Sequence, residues 1–286
     1  MKLSYNQATA RDCSSLEKDV ILCEKEGFDY IEIRLDMLDE YLKDHTVREL
    51  AQFFQTHRLK PHALNALYLY GEMYSEQDED RKREALESRF LNACETGRQI
   101  GSRYFIIVPP LSETVYTKPF DETKANCVRI LRRLSELSRP YGINLCFELV
   151  GLRKSSVRSI AEAREIVEEV NRENVGYVFD SYNLFTNGGD NSFEALKTVP
   201  VNKIFAVHIN NADDCAADDM AQDKRRFCDQ GIIRLDRFLN ALKETGYDGM
   251  VSIETFRPEY WRMEPEEVIH LAYRTTRDTL EKNGCL

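Results

Sequence analysis

The sequence predicts an α/β fold, a closed (β/α)8 TIM barrel, from two observations. Short apolar runs typical of buried strands alternate eight times with longer amphipathic stretches typical of helices. Strands that alternate with helices pair in parallel through right-handed crossovers, and eight such units close a barrel of about 250 residues. The 286 residues of the chain are therefore expected to form a single barrel domain over residues 1–286.

The elements follow one another at regular intervals along the chain. The predicted strands are Lys2–Asn6, Tyr30–Arg34, His62–Asn65, Tyr104–Val108, Asn144–Glu148, Val175–Asp180, Lys203–His208 and Met250–Glu254. The amphipathic segments between them include Ser15–Glu26, Thr46–His57, Glu79–Ile100, Asp121–Pro140, Val157–Asn171 and Leu235–Thr245, and Glu264–Lys282 closes the chain. Glycine stands between a helix and the next strand at several of these boundaries, where a left-handed helix cap is usual.

The longest irregular stretch is Asn210–Gly231, which follows the seventh predicted strand. Loops of this length are uncommon in a compact domain unless they cover a site. We therefore expect this segment to act as a lid or wall of an active site.

Composition restricts the partners of the protein. The net charge of −10 and the pI near 5.2 argue against binding to nucleic acid, which requires a basic surface. The sequence shows neither a signal peptide nor an apolar stretch long enough to span a membrane. Eight cysteines without a C-x-x-C pair indicate reduced thiols. We expect a cytoplasmic protein with no nucleic-acid and no membrane partner.

Four polar residues stand at the C-terminal ends of the last four predicted strands: Glu148, Asp180, His208 and Glu254. In α/β barrels this end of each strand faces the ligand-binding loops, so the four side chains are expected to converge. Three carboxylates and one imidazole would repel one another unless a cation neutralised them. The set predicts one divalent metal ion, Mn²⁺, Mg²⁺, Co²⁺ or Zn²⁺. Taken singly, each residue could instead be a helix cap, a hydrogen-bonded core group or the partner of an arginine.

Two of the predicted ligands, Glu148 and Glu254, also suit proton transfer. A metal that chelates a carbonyl and its neighbouring hydroxyl acidifies the hydrogen on the hydroxyl-bearing carbon and stabilises the enediolate that results. One carboxylate can then remove this proton and the other can return it. The two glutamates therefore predict isomerisation or epimerisation without an organic cofactor.

Motifs along nearly the whole chain resemble the sugar phosphate isomerase/epimerase superfamily of xylose isomerase-like TIM barrels, and within it the bacterial inosose (2-keto-myo-inositol) isomerases of inositol catabolism. The matching segments include Met1–Asn6, Tyr30–Arg34, Glu148–Gly151, Asp180–Ser181 and the quite specific Glu254–Tyr260. The resemblance implies that the metal ligands are Glu148, Asp180, His208 and Glu254, and that the two glutamates double as proton-transfer groups. Barrels of this superfamily are often dimers or tetramers, so the resemblance also allows a homo-oligomer.

The chain departs from the family pattern where a substrate would be recognised. Asn183 stands where the family commonly has a histidine three residues after the metal-binding aspartate. Phe227–Asp229 replaces a Trp-Pro-Gly segment, and Leu152–Arg153 replaces His-Pro. These changes are compatible with a shifted preference among keto-polyols and keto-sugars.

Other polar residues are expected to bind substrate hydroxyls. Asn6, Arg34 and Asn65 end the first three predicted strands, Asn183 follows the sixth, and Arg257 follows the eighth. Arg34 could equally pair with an inward-facing carboxylate.

Several other functions remain open on the same barrel. A ketose 3-epimerase or an inosose dehydratase would use the same metal and a similar enediolate. A sugar-binding barrel without turnover would not need two proton-transfer groups. A hydrolase of the endonuclease IV type needs several metals held by many histidines, and this chain has five histidines.

Overall fold

A computed structural model describes residues 1–69 and 80–286 of the chain. Its strands are β1 (Lys2–Asn6), β2 (Tyr30–Arg34), β3 (Lys60–Tyr68), β4 (Tyr104–Val108), β5 (Asn144–Glu148), β6 (Val175–Asp180), β7 (Ile204–Ile209), β8 (Asn211–Ala212), β9 (Arg225–Arg226) and β10 (Met250–Ile253). All except β8 and β9 form a closed parallel barrel in the order β1, β10, β7, β6, β5, β4, β3, β2. The predicted (β/α)8 barrel is thus confirmed.

Five barrel strands have the predicted bounds, and three differ. The third strand runs from Lys60 to Tyr68, longer than its apolar centre suggests. Strand β7 begins and ends one residue later than predicted, and β10 ends at Ile253, so Glu254 is the first residue after its strand. Strand β6 is buried along its whole length, as expected for a parallel strand packed on both faces.

Helices surround the barrel. They are α1 (Leu16–Glu26), α2 (Leu35–Tyr41), α3 (Val47–Thr56), α4 (Asp80–Ile100), α5 (Phe120–Ser138), α6 (Ile160–Val170), α7 (Ser181–Thr186), α8 (Leu235–Thr245) and α9 (Pro265–Lys282). The short helices α2 and α7 were not predicted, because a helix of six or seven residues shows no clear amphipathic period. Glu79, the first residue of the predicted helix Glu79–Ile100, lies outside the described residues.

Local sequence signals explain where these helices begin and end. Thr46 and Ser159 each form a capping box with the glutamate three residues later, which satisfies free amide groups in the first turn of α3 and α6. Gly27 ends α1 at a φ of 112°, and a β-carbon there would lie 2.9 Å from the hydroxyl of Tyr273. Within the described ranges, no helix has the length and apolar character needed to cross a bilayer.

The segment predicted as irregular, Asn210–Gly231, contains a small antiparallel pair. Asn211 pairs with Arg226 and Ala212 pairs with Arg225, so the loop folds back on itself above the barrel. This pairing directs the side chain of Arg225 inward, where only 1% of its surface is exposed. The loop is therefore a wall that contributes a charged group to the barrel interior.

Candidate metal centre

The four predicted ligands converge at the C-terminal end of the barrel. Ligand atoms of Glu148, Asp180, His208 and Glu254 all lie within 4.8 Å of one another, and all four residues are buried. They come from the ends of β5 and β6, from β7 and from the residue after β10, which are neighbouring strands in the barrel. The alignment of parallel strand ends is thus what brings distant residues together.

The imidazole of His208 presents one nitrogen to the three carboxylates. Its Nδ1 atom lies 3.2 Å from Glu254 Oε2, 3.6 Å from Glu148 Oε1 and 3.8 Å from Asp180 Oδ2. This buried nitrogen has no hydrogen-bond partner. Buried polar atoms are nearly always satisfied, so an unpartnered nitrogen facing three carboxylate groups fits the donor set of a divalent metal ion.

The other nitrogen of His208 contacts a glutamate from the opposite part of the barrel. The Nε2 atom lies 3.0 and 3.1 Å from the two carboxylate oxygens of Glu32, which is fully buried on β2. Burial lowers the pKa of His208, but the negative charges of Glu254 and Glu32 and the close approach of Glu148 outweigh it and raise this pKa well above its usual value. Without a metal, the imidazole therefore favours its protonated form.

A buried arginine from the wall loop partly balances the negative charge. The guanidinium of Arg225 is paired with Asp180 and lies 3.3 Å from Glu254 Oε2. It also lies 4.8 Å from the ring of Tyr182 and 5.2 Å from the ring of Phe256. Three buried carboxylates, Glu148, Asp180 and Glu254, lie around this one buried guanidinium, so the centre retains an excess of negative charge that a divalent ion would offset.

Two asparagines hold Glu254 in place. Asn6 and Asn65 donate side-chain hydrogen bonds to Glu254 Oε1, at 2.8 and 3.3 Å. Burial raises the pKa of Glu254, but His208, Arg225 and Asn65 together lower it to about 2. The carboxylate is therefore strongly held in its charged form. Asn6 is fully buried, whereas Asn65 reaches the cavity described below.

Asn183 joins two of the predicted ligands. Its side chain donates to Glu148 Oε1 at 2.9 Å, and its backbone amide donates to Asp180 Oδ1 at 3.0 Å. Burial and the charge of Glu254 raise the pKa of Glu148 to about 7, although His208 lowers it. In the metal-free protein, Glu148 therefore binds a proton more readily than Glu254 does.

Two predicted substrate contacts do not reach the centre. Arg34 pairs with Asp36, whose Oδ2 lies 2.6 Å from its guanidinium. Arg257 pairs with Asp213 at 2.8 Å and with Glu259 at 3.3 Å. Neither arginine contributes to the described lining of the cavity at the centre. Pairing with a carboxylate was the alternative stated for Arg34, although its partner Asp36 is exposed rather than inward-facing, whereas the sequence pattern gave no sign of the pairing of Arg257.

A cavity of about 400 Å³ opens onto two of the four residues, Glu148 and Glu254, and its volume suits a small polyol. Its lining combines charged and amide groups with aromatic walls. The residues include Arg11, Asn65, Tyr68, Glu148, Lys154, Asn183, Gln222, Asp223, Arg225, Glu254, Phe256 and Trp261. The wall loop thus supplies three residues, in agreement with its predicted role.

Sequence reasoning missed Glu32 and Arg225. Glu32 lies between two isoleucines in β2, and a glutamate inside an apolar strand signals an inward-facing charge that requires a partner. Arg225 lies in the charged stretch Asp223–Arg226, where nothing in the sequence distinguishes it from its less buried neighbours. Only the β8–β9 pairing identifies it as the buried cation.

The chain is similar in sequence to known TIM-barrel proteins. A model of the xylose isomerase-like TIM barrel family matches residues 20–278. The inosose isomerase of Bacillus licheniformis is 42% identical over 283 residues, which cover 99% of each chain. The inosose isomerase of Bacillus velezensis is 41% identical over 283 residues, covering 99% of this chain and 98% of that protein.

Solved structures of similar proteins have the same barrel fold. The crystal structure of the IolI protein with a bound zinc atom superposes with a TM-score of 0.90, at 40% identity and with 99% of both chains covered. The barrel of D-psicose 3-epimerase from Clostridium cellulolyticum H10 superposes with a TM-score of 0.77 at 15% identity, covering 99% of both chains, which shows a shared fold.

Proposed function

We propose that this chain, which belongs to the xylose isomerase-like TIM barrel family, is a divalent-metal-dependent isomerase that acts on 2-keto-myo-inositol. The observation that carries the proposal is the buried set of three carboxylates and one imidazole, with two glutamates open to a cavity of about 400 Å³. Relatives named inosose isomerase, 40–42% identical over nearly the full chain, support the choice of substrate.

Glu148, Asp180, His208 and Glu254 would hold the metal ion. When bound there, a divalent ion supplies the Lewis acidity that polarises a substrate carbonyl and stabilises the negative charge of an enediolate. Zinc is the ion in the IolI crystal structure, and the donor set also suits Mn²⁺, Co²⁺ and Mg²⁺.

The two glutamates carry the proton. One removes the hydrogen from the hydroxyl-bearing carbon beside the carbonyl, and the other delivers a proton to the former carbonyl carbon. The hydroxyl proton passes to the former carbonyl oxygen, so the carbonyl moves by one carbon with no net loss or gain of atoms. Asn6 and Asn65 orient Glu254, and Asn183 orients Glu148, which keeps each carboxylate in a fixed position beside the substrate.

The aromatic and amide lining orients the substrate and limits the access of water. Trp261 and Phe256 provide apolar walls, while Lys154 and Gln222 offer polar groups for hydroxyls. Lys154 follows Leu152–Arg153, so the segment that departs from the family pattern lies directly beside a residue of the cavity lining.

Proton NMR in deuterated water tests the proposal. Purified protein loaded in turn with Zn²⁺, Mg²⁺ or Co²⁺ is incubated with 2-keto-myo-inositol, fructose, tagatose and psicose, each with a chelated control. Metal-dependent deuterium incorporation together with a new isomer of 2-keto-myo-inositol is the expected result. Exchange with a ketohexose alone would move the assignment to a ketose 3-epimerase, loss of water would indicate a dehydratase, and no exchange would leave a binding protein.

A further inference from the structure

We propose that Glu32 is a positioning residue that orients His208 for metal binding by fixing which imidazole nitrogen carries the proton. The inference rests on the proposed function, because it concerns the same metal centre. Glu32 lies outside the set of four converging ligands, and no part of the proton-transfer scheme above uses it.

The contact joins strands that are not neighbours. Glu32 lies on β2 and His208 on β7, with β1 and β10 between them in the barrel order, so the two side chains meet inside the barrel. Both residues are 0% exposed. Both carboxylate oxygens of Glu32 lie within hydrogen-bond distance of Nε2, at 3.0 and 3.1 Å.

This geometry selects one tautomer. A carboxylate accepts hydrogen bonds, so it favours a proton on Nε2 and leaves the lone pair of a neutral imidazole on Nδ1. Nδ1 is the nitrogen that faces Glu148, Asp180 and Glu254. A histidine that binds a metal through one nitrogen usually donates from the other to a carboxylate or carbonyl, which fixes the ring and raises its basicity.

A purely structural ion pair explains the contact less well. A structural histidine in the barrel core would have both nitrogens hydrogen-bonded, whereas Nδ1 of His208 faces three carboxylates and forms no well-directed hydrogen bond with any of them. Asn6 supports the same arrangement, because its amide lies 3.3 Å from Glu32 Oε2 and 2.8 Å from Glu254 Oε1. One asparagine thus holds both the positioning carboxylate and a predicted ligand.

The test measures metal affinity directly. Wild-type protein and the variants Glu32→Gln and Glu32→Asp compete for Zn²⁺ or Co²⁺ with a chromophoric chelator, and circular dichroism monitors folding. The amide of Glu32→Gln lacks the negative charge, and the side chain of Glu32→Asp is one methylene shorter. Both variants are expected to bind metal about 10- to 100-fold more weakly.

Asp19→Asn is the matched control. Asp19 is also a fully buried carboxylate, but its partners are Gln7 and Ser14 rather than the imidazole. This variant is expected to bind metal as wild type does, whatever its stability. Wild-type affinity in both Glu32 variants would overturn the inference.

The nitrogen NMR spectrum of His208 gives a readout that a merely structural role would not change. In the zinc-loaded wild type, we expect one species with Nε2 protonated and Nδ1 bound, assigned by its loss in His208→Asn. In Glu32→Gln, we expect the signals of this species to disappear or to be accompanied by signals of a second protonation state of the imidazole. If the wild-type protein binds no metal at all, the proposed function and this inference both fail. If the wild-type protein binds metal and the Glu32 variants bind it with the same affinity, this inference alone fails.

Discussion

Arg225 and Asp180 form an ion pair in which the two side chains are 1% and 0% exposed. The pair joins the wall loop to the end of β6, directly at the candidate metal centre. Breaking a buried ion pair by removing one partner is costly, because the other charge stays buried without compensation.

Arg225→Met is expected to lower the free energy of unfolding of the metal-free protein by about 3–5 kcal/mol. Excess Zn²⁺ should restore part of this loss, since it supplies positive charge at the same carboxylates. Urea unfolding with and without a chelator measures both effects. Arg11→Met is the control, because Arg11 forms a surface pair with Asp12 and its loss should cost at most about 1 kcal/mol. Equal stability of the two variants would contradict the expectation.

Divalent metal is expected to stabilise the protein as well as activate it. A ligand present at about 100 times its dissociation constant stabilises the folded state by about 2.7 kcal/mol. Thermal unfolding should therefore shift upward with Zn²⁺ and downward with chelator. His208→Asn should lose this response, while His270→Asn, which alters an exposed histidine beside Glu26, should keep it. A metal-induced shift that persists in His208→Asn would place the ion elsewhere.

Glu148→Gln and Glu254→Gln are each expected to lower the isomerisation rate by about 10²- to 10⁴-fold, because each removes a proton-transfer group. Deuterium exchange under metal saturation measures the loss apart from any change in metal affinity. Glu136→Gln, an exposed residue paired with Arg172, serves as the control and should leave the rate unchanged. Retention of near wild-type exchange by either active-site variant would exclude that glutamate from proton transfer.

Asp19 is expected to make stability depend on pH. Burial raises its pKa to about 7, although hydrogen bonds from Ser14 and Gln7 lower it. Because this value lies above that of the unfolded chain, the contribution to stability is complete below about pH 4 and is lost as the pH rises through 7. Asp19→Asn should therefore lose less stability than wild type between pH 4 and pH 8, by up to about 4 kcal/mol. Urea unfolding at both pH values tests this, and parallel pH curves would contradict it.

The sequence alone determined the barrel and the family. Alternation of apolar strands with amphipathic helices reflects burial on both faces of a parallel sheet, a local property of each segment. The end of each apolar run also predicted the end of a strand, and therefore predicted that Glu148, Asp180, His208 and Glu254 lie on one rim of the barrel. A homo-oligomer, a cytoplasmic location and the lack of a nucleic-acid partner stay predictions.

Tertiary structure decided which side chains meet and which turn away. Arg34 and Arg257 stand at strand ends like the predicted ligands, but each pairs with closer carboxylates, Asp36 and Asp213. Glu32 and Arg225 enter the centre from β2 and from the wall loop, far from the ligands in sequence. The local sequence pattern indicates only whether a position is buried. Whether two charges pair depends on distances across the barrel, and these distances are set by the strand order, the register and the folding of the loop.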